Sequence, residues 1–236
     1  MTTALTFTPA QGLEEMAQRF FNELFDFNTS LFVATSNAGC EESAKCGCTL
    51  EMSMLNVKAG DTILIDMDGT LIDTDACNTK AYKAAIEVVL GGDYAELLDI
   101  ARIERRVLRE RLSWISEEQL ANIIALKERF YTQFIDEISV IPSTMEILSH
   151  FAETHKVVLV TNARRGRTMQ TLCHLGLGNM FDGIITKDDC NGENKFNVAL
   201  TQFHLDPQNV WVFENEETQV KTAVAAGINI NHIILR

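Results

Sequence analysis

Two aspartates two residues apart, Asp66 and Asp68, follow the apolar run TILI and precede Gly69-Thr70. Carboxylates so spaced can share nucleophilic and acid–base work, or hold a hard divalent cation through oxygen. Chemistry-bearing residues recur after later apolar runs: Thr161-Asn162 after KVVLV, Asp188-Asp189 after GIITK, and Glu214-Asn215 at the end of VWVFE. Lys195 opens the segment between the last two runs. Acids, a hydroxyl, an amide and an ammonium drawn together suit phosphoryl transfer. There, fixed positive charge and donors neutralise the oxygens of the transferring group.

These residues need a scaffold that brings them to one place. The runs 62–67, 156–161, 183–187, 210–214 and 231–235 are short, apolar and rich in β-branched residues, which predicts strands buried on both faces. Helical periodicity separates the later ones, over 144–154, 165–175, 194–203 and 216–226. Strands alternating with helices predict a Rossmann-like α/β parallel sheet, with chemistry at the C-terminal strand ends. Residues 76–139 are expected to be wholly helical. The chain thus divides into an extension over 1–58, a core of 59–75 with 140–236, and a helical portion over 76–139. In the extension, Thr8 and Pro9 mark the start of a helix over 9–26, and residues 30–36 (SLFVATS) are strand-like.

The chain has 236 residues, 46% of them hydrophobic and 22% charged, a balance that excludes wholesale disorder. Twenty basic residues against thirty-three acidic ones give a net charge of -13. Such a surface repels phosphate backbones and anionic lipid, so neither nucleic acid nor membrane is an expected partner. With no long apolar stretch and no basic leader, a soluble cytoplasmic protein is expected. Six irregularly spaced cysteines read as reduced thiols, and Cys40, Cys46 and Cys48 as a small-residue loop without a fourth zinc ligand.

ILIDMDGTLIDTD, VLVTNA, GENKFNVAL and VFENEETQVKTAVAAG resemble, in order, the four motifs of the haloacid dehalogenase (HAD) superfamily. The resemblance runs from about Ala59 to the C-terminus. It points to the branch with an α-helical cap domain inserted into the core, as in phosphoglycolate phosphatases and β-phosphoglucomutases. It implies Asp66 as nucleophile, Asp68 as general acid and base, and Thr161, Asn162 and Lys195 as phosphate-binding groups. It also implies Mg2+ held by Asp66, Asp68, Asn215 and Glu214. A phosphatase acting on a small phosphorylated metabolite is the expected function, in a monomer or homodimer. Two alternatives stand beside it: a phosphomutase using the same residues, and a weakly active or non-catalytic binding protein.

Two departures from the pattern bear on the site. Phe196 stands where the family usually has proline after the lysine, and Asn215 and Glu216 where aspartate and serine are common. Asparagine offers oxygen but no charge, so metal affinity is expected to fall, with Glu214, Glu216, Glu217 and Asp189 as the acids able to compensate. Arg102, Arg106 and Arg109 share one helix face and read as solvated, paired with Glu104 and Glu110. Arg164, Arg165 and Arg167 read as helix-surface residues.

Overall fold

The computed structural model describes residues 55–92, 103 and 105–236. The helix expected over 9–26, the strand-like 30–36, Cys40, Cys46, Cys48, Arg102 and Glu104 lie outside the described residues. The chain divides into two units, Met1–Gly47 and Cys48–Arg236, and the described residues all belong to the second.

The centre of this unit is a five-stranded parallel sheet of β1 (Thr62–Ile65), β4 (Lys156–Val160), β5 (Gly183–Ile185), β6 (Val210–Glu214) and β7 (Ile233–Leu235). The spatial order is β5-β4-β1-β6-β7, every neighbouring pair parallel. Side chains alternate across it. Ile63, Ile65, Val157, Leu159, Trp211 and Phe213 enter one apolar cluster, while Leu64, Val158, Val160, Val210 and Val212 enter another on the opposite face. Both faces are therefore covered, which explains why these strands read as unbroken apolar runs. Each fully buried side chain of this kind contributes about 1.5–3 kcal/mol. β1 is the central strand, paired on both sides.

Helices pack on both faces: α4 (Pro142–Phe151), α5 (Arg165–His174), α7 (Lys195–Gln202) and α8 (Glu217–Ala225), with a single turn, α6 (Lys187–Cys190), after β5. That turn and a truncated β5 stand where a strand to residue 187 was expected. The reason is a reciprocal cap: Asp189 accepts from the backbone N–H and hydroxyl of Thr186, which starts a helix there.

After β1 the chain turns at Gly69, whose φ of 82° lies where glycine is favoured. It then enters β2 (Ile72–Asp73), antiparallel to β3 (Ser139–Val140). Between these legs lie α1 (Asp75–Leu90), α2 (Arg105–Arg111) and α3 (Glu117–Tyr131), with a 3-10 segment over Thr132–Glu137. The stretch is therefore not one continuous helix. Ser116 caps α3 reciprocally with Gln119, which breaks it after α2. These helices carry their own apolar cluster, including Tyr82, Ile86, Leu108, Leu112, Leu120 and Ile123. Among the described residues, no helix is long and apolar enough to cross a membrane.

Candidate active site

Parallel register sets the site. Ile65 lies opposite Leu159 and Phe213, so the residues following β1, β4 and β6 emerge level at one sheet edge. The Asp66 amide still donates to the Phe213 carbonyl at 3.0 Å, and the Thr161 amide to the Ile185 carbonyl at 2.9 Å. Backbone hydrogen bonds thus fix the stems of both side chains.

Lys195 joins two of these strands. Its Nζ donates to Asp66 Oδ1 at 2.6 Å and to Glu214 Oε2 at 2.8 Å. It does so while only 2% exposed. The helix start that presents it is built by Asn194, whose Oδ1 accepts from the Phe196 amide at 2.9 Å. A proline at 196 has no N–H to give, so the departure from the usual motif exchanges one form of helix entry for another.

Two buried acids share one base here. Burial pushes the Asp66 carboxyl up to about 7, against the pull of Lys195 and with a further push from Glu214. Burial alone would lower the Lys195 ammonium, but Asp66 and Glu214 outweigh it and hold it above the ordinary value. Among the described residues the cluster carries surplus negative charge, two acids to one base.

Glu214 holds Lys195 from the β6 side. Oε2 accepts from Lys195, and Oε1 from the amides of Asn215 at 3.0 Å and Glu216 at 3.3 Å. Both oxygens are already engaged within the chain. Asp189 is likewise occupied, by Thr186 and by Arg165 at 2.5 Å. Asn215 Oδ1 lies 3.4 Å from Thr70 Oγ1, beside the loop that carries Asp66 and Asp68. Among the described residues, no three His, Cys, Asp or Glu side chains form a metal-holding group. Asp66 and Asp68 share one loop and Asn215 meets that loop at Thr70; as oxygen donors the three are one charge short of three carboxylates.

Thr161 is buried, and its Oγ1 accepts from the Ala163 amide at 3.0 Å. This orients the hydroxyl and leaves its proton to donate. Asn162 is exposed and lines the adjoining cleft.

Asp68 faces the helical insert. Thr74 Oγ1 donates to Oδ1 at 2.9 Å, and Arg167 donates to Oδ2 at 2.7 Å. Arg167 is not the surface residue that was expected: only 15% of its side chain is exposed, and it stacks 5.2 Å from the Tyr131 ring. Burial opposes its charge, but Asp68 overrides that and holds its pKa above the ordinary value. A sequence signal existed, since helical spacing sets Arg167 one turn from buried Thr171. By contrast, Arg106 and Arg109 are exposed and paired with Glu110 and Glu117.

Lys127 carried no expectation at all. It continues the buried stripe Leu120, Ile123, Lys127, Tyr131 on α3 and is 2% exposed. Its ammonium lies 5.4 Å from the Tyr82 ring and 5.0 Å from the Tyr131 ring. Burial, with Arg167 nearby, lowers its pKa to about 8.

Known proteins share this fold. Residues 63–233 match the family described as haloacid dehalogenase-like hydrolase. A phosphorylated carbohydrates phosphatase of Thermotoga maritima is 26% identical over 185 residues, 71% of this chain and 82% of that one. CbbY of Rhodobacter sphaeroides in complex with phosphate superposes with a TM-score of 0.59 at 19% identity, covering 74% of this chain and 85% of that one. YfnB of Bacillus subtilis, described as bound to magnesium, gives 0.54 at 18%, covering 73% and 86%. A parallel sheet of this order, a lysine bridging two strand ends and a match across most of the length leave one conclusion: the chain is an enzyme of the haloacid dehalogenase-like hydrolase family.

Proposed function

We propose that this hydrolase is a magnesium-dependent phosphatase that cleaves a small phosphorylated metabolite through a phosphoryl group carried on Asp66. One observation carries the reading: Lys195 holds Asp66 Oδ1, and among the described residues no hydrogen bond engages Oδ2. One oxygen is fixed and the other is left to attack phosphorus. Asp68, two residues on, gives its proton to the leaving oxygen as the phosphorus–oxygen ester bond breaks. It then takes a proton from the water that attacks phosphorus, and this releases phosphate and restores Asp66. Thr161, Asn162 and Lys195 hold the phosphoryl oxygens.

Magnesium would be held by Asp66, Asp68 and Asn215, where it supplies charge neutralisation for the phosphoryl oxygens. Glu214 then acts by holding Lys195. The helices between β2 and β3 serve as the cap, excluding bulk water and choosing the leaving group. The phosphorylated-carbohydrate activity named for the Thermotoga relative supports a substrate of metabolite size.

The test is p-nitrophenyl phosphate hydrolysis with and without magnesium, in the unaltered chain and in Asp66→Asn. The expected result is magnesium-dependent release that falls at least about a thousand-fold in the variant. No release from the unaltered chain over a wide panel of small phosphoesters would overturn the reading in favour of a binding protein, which the neutral Asn215 otherwise argues for.

A further inference from the structure

Between Asp68 and the helical insert lies a cleft of about 350 Å³. Its charge is opposite to that of the chain. Arg105, Arg106, Lys127, Arg164, Arg167 and Lys187 line it against only Asp68, Glu128 and Glu216 among the described residues, in a protein of net charge -13. Four of these cations are exposed and of ordinary kind. Lys127 and Arg167 are different, because burial strips them of water.

Their partners are few. Lys127 has Glu128 at 3.5 Å, a carboxylate that is itself 32% exposed, and two aromatic rings. Among the described residues, Arg167 has Asp68 alone as a bonded acid, and its Nε is buried without a hydrogen-bond partner. Asn78 Oδ1, on the same cleft, is buried and unpartnered too. A desolvated cation with too little counter-charge costs free energy unless a ligand completes it. The unpaired Nε asks for an acceptor, and Asn78 asks for a donor such as a hydroxyl.

We propose that Lys127 and Arg167 form a subsite for a second anionic group on the substrate, a carboxylate or a second phosphoryl group, in the cleft that Asp68 and Asn162 also line. This rests on the phosphatase reading above and narrows it to esters whose leaving group is acid-bearing. The guanidinium can serve both Asp68 and the ligand because it offers five donors in a planar fork. Exposed cations at the cleft mouth steer such a dianion inward past an otherwise acidic surface.

Three phosphonates that cannot be hydrolysed test the subsite by calorimetry on the full chain in excess magnesium: phosphonoacetate, methylenediphosphonate and ethylphosphonate. The first carries a carboxylate, the second another phosphoryl group, the third a neutral end. The subsite predicts that one or both anionic probes bind about tenfold or more tightly than ethylphosphonate, and the tighter of the two names the source. Lys127→Met and Arg167→Gln should each remove most of that preference, while Lys127→Arg keeps it. Equal binding of all three probes, or a preference that survives both Lys127→Met and Arg167→Gln, would overturn the proposal. Intact preference without ester turnover breaks the phosphatase reading alone. Turnover without preference breaks the subsite alone.

Discussion

Asp66 and Asp68 share one loop but stand in opposite electrical settings. On the core side, Asp66 and Glu214 divide the single charge of Lys195. On the insert side, Asp68 faces Arg167, with Lys127 close enough to feel both. The first setting has two acids to one base, whereas the second sets two buried cations against Asp68 and the part-exposed Glu128. Spacing alone assigns no roles to a pair of carboxylates. The tertiary partners distinguish them, and the proposed magnesium site and the proposed anion subsite follow that difference in charge.

The largest expected effect comes from emptying the core side. Lys195→Met leaves two buried carboxylates with no cation, so stability should fall by about 3–5 kcal/mol and phosphatase activity should nearly vanish. Urea unfolding and initial rates read both. Adding Glu214→Gln should restore much of the stability and none of the activity. A double variant as unstable as the single one would show that packing, not charge, governs this side.

A smaller effect sharpens the cation seat. Asn215→Asp supplies the missing third charge, so half-activation should need about tenfold less magnesium. A titration of rate against magnesium concentration measures this. An unchanged midpoint would remove residue 215 from the metal's neighbourhood.

The effect on the insert side is on stability rather than on activity. Lys127 ionises near 10.5 when unfolded and near 8 when folded. Between those values the unfolded chain binds more protons, so stability rises with pH across the window. Below pH 8 the cost of the buried charge is present in full, on the order of 3 kcal/mol. Lys127→Met should therefore raise the melting temperature by several degrees at pH 7, and the gain should shrink as pH approaches 10.5. Melting curves across that range decide it. A gain independent of pH would mean that shape, not charge, is responsible.

The sheet edge was legible because each site residue follows directly on an apolar run. VWVFE matches β6 residue for residue, and Glu214 and Asn215 lie where that strand ends. The insert was less legible. Its helicity showed as periodicity, but its breaks depend on local caps such as Ser116 with Gln119. Arg167 and Lys127 were misread or unread for a physical reason. Whether a long cationic side chain lies on a surface or under a neighbouring helix depends on α1, α3 and α5 meeting, and no single stretch of sequence states that. That the backbone amides of Asn215 and Glu216 bond back to Glu214 Oε1 was likewise not legible, because it depends on how the chain turns after β6.

The antiparallel pairing of β2 with β3 has a mechanical meaning. The insert is joined to the core by two legs that pair with each other, Ile72 opposite Val140 and Asp73 opposite Ser139, so they form one strap rather than two separate strings. Thr74, the next residue along the first leg, is the one whose hydroxyl holds Asp68. Under the proposed mechanism, one hydroxyl therefore couples the position of the insert to the carboxyl that would carry the proton.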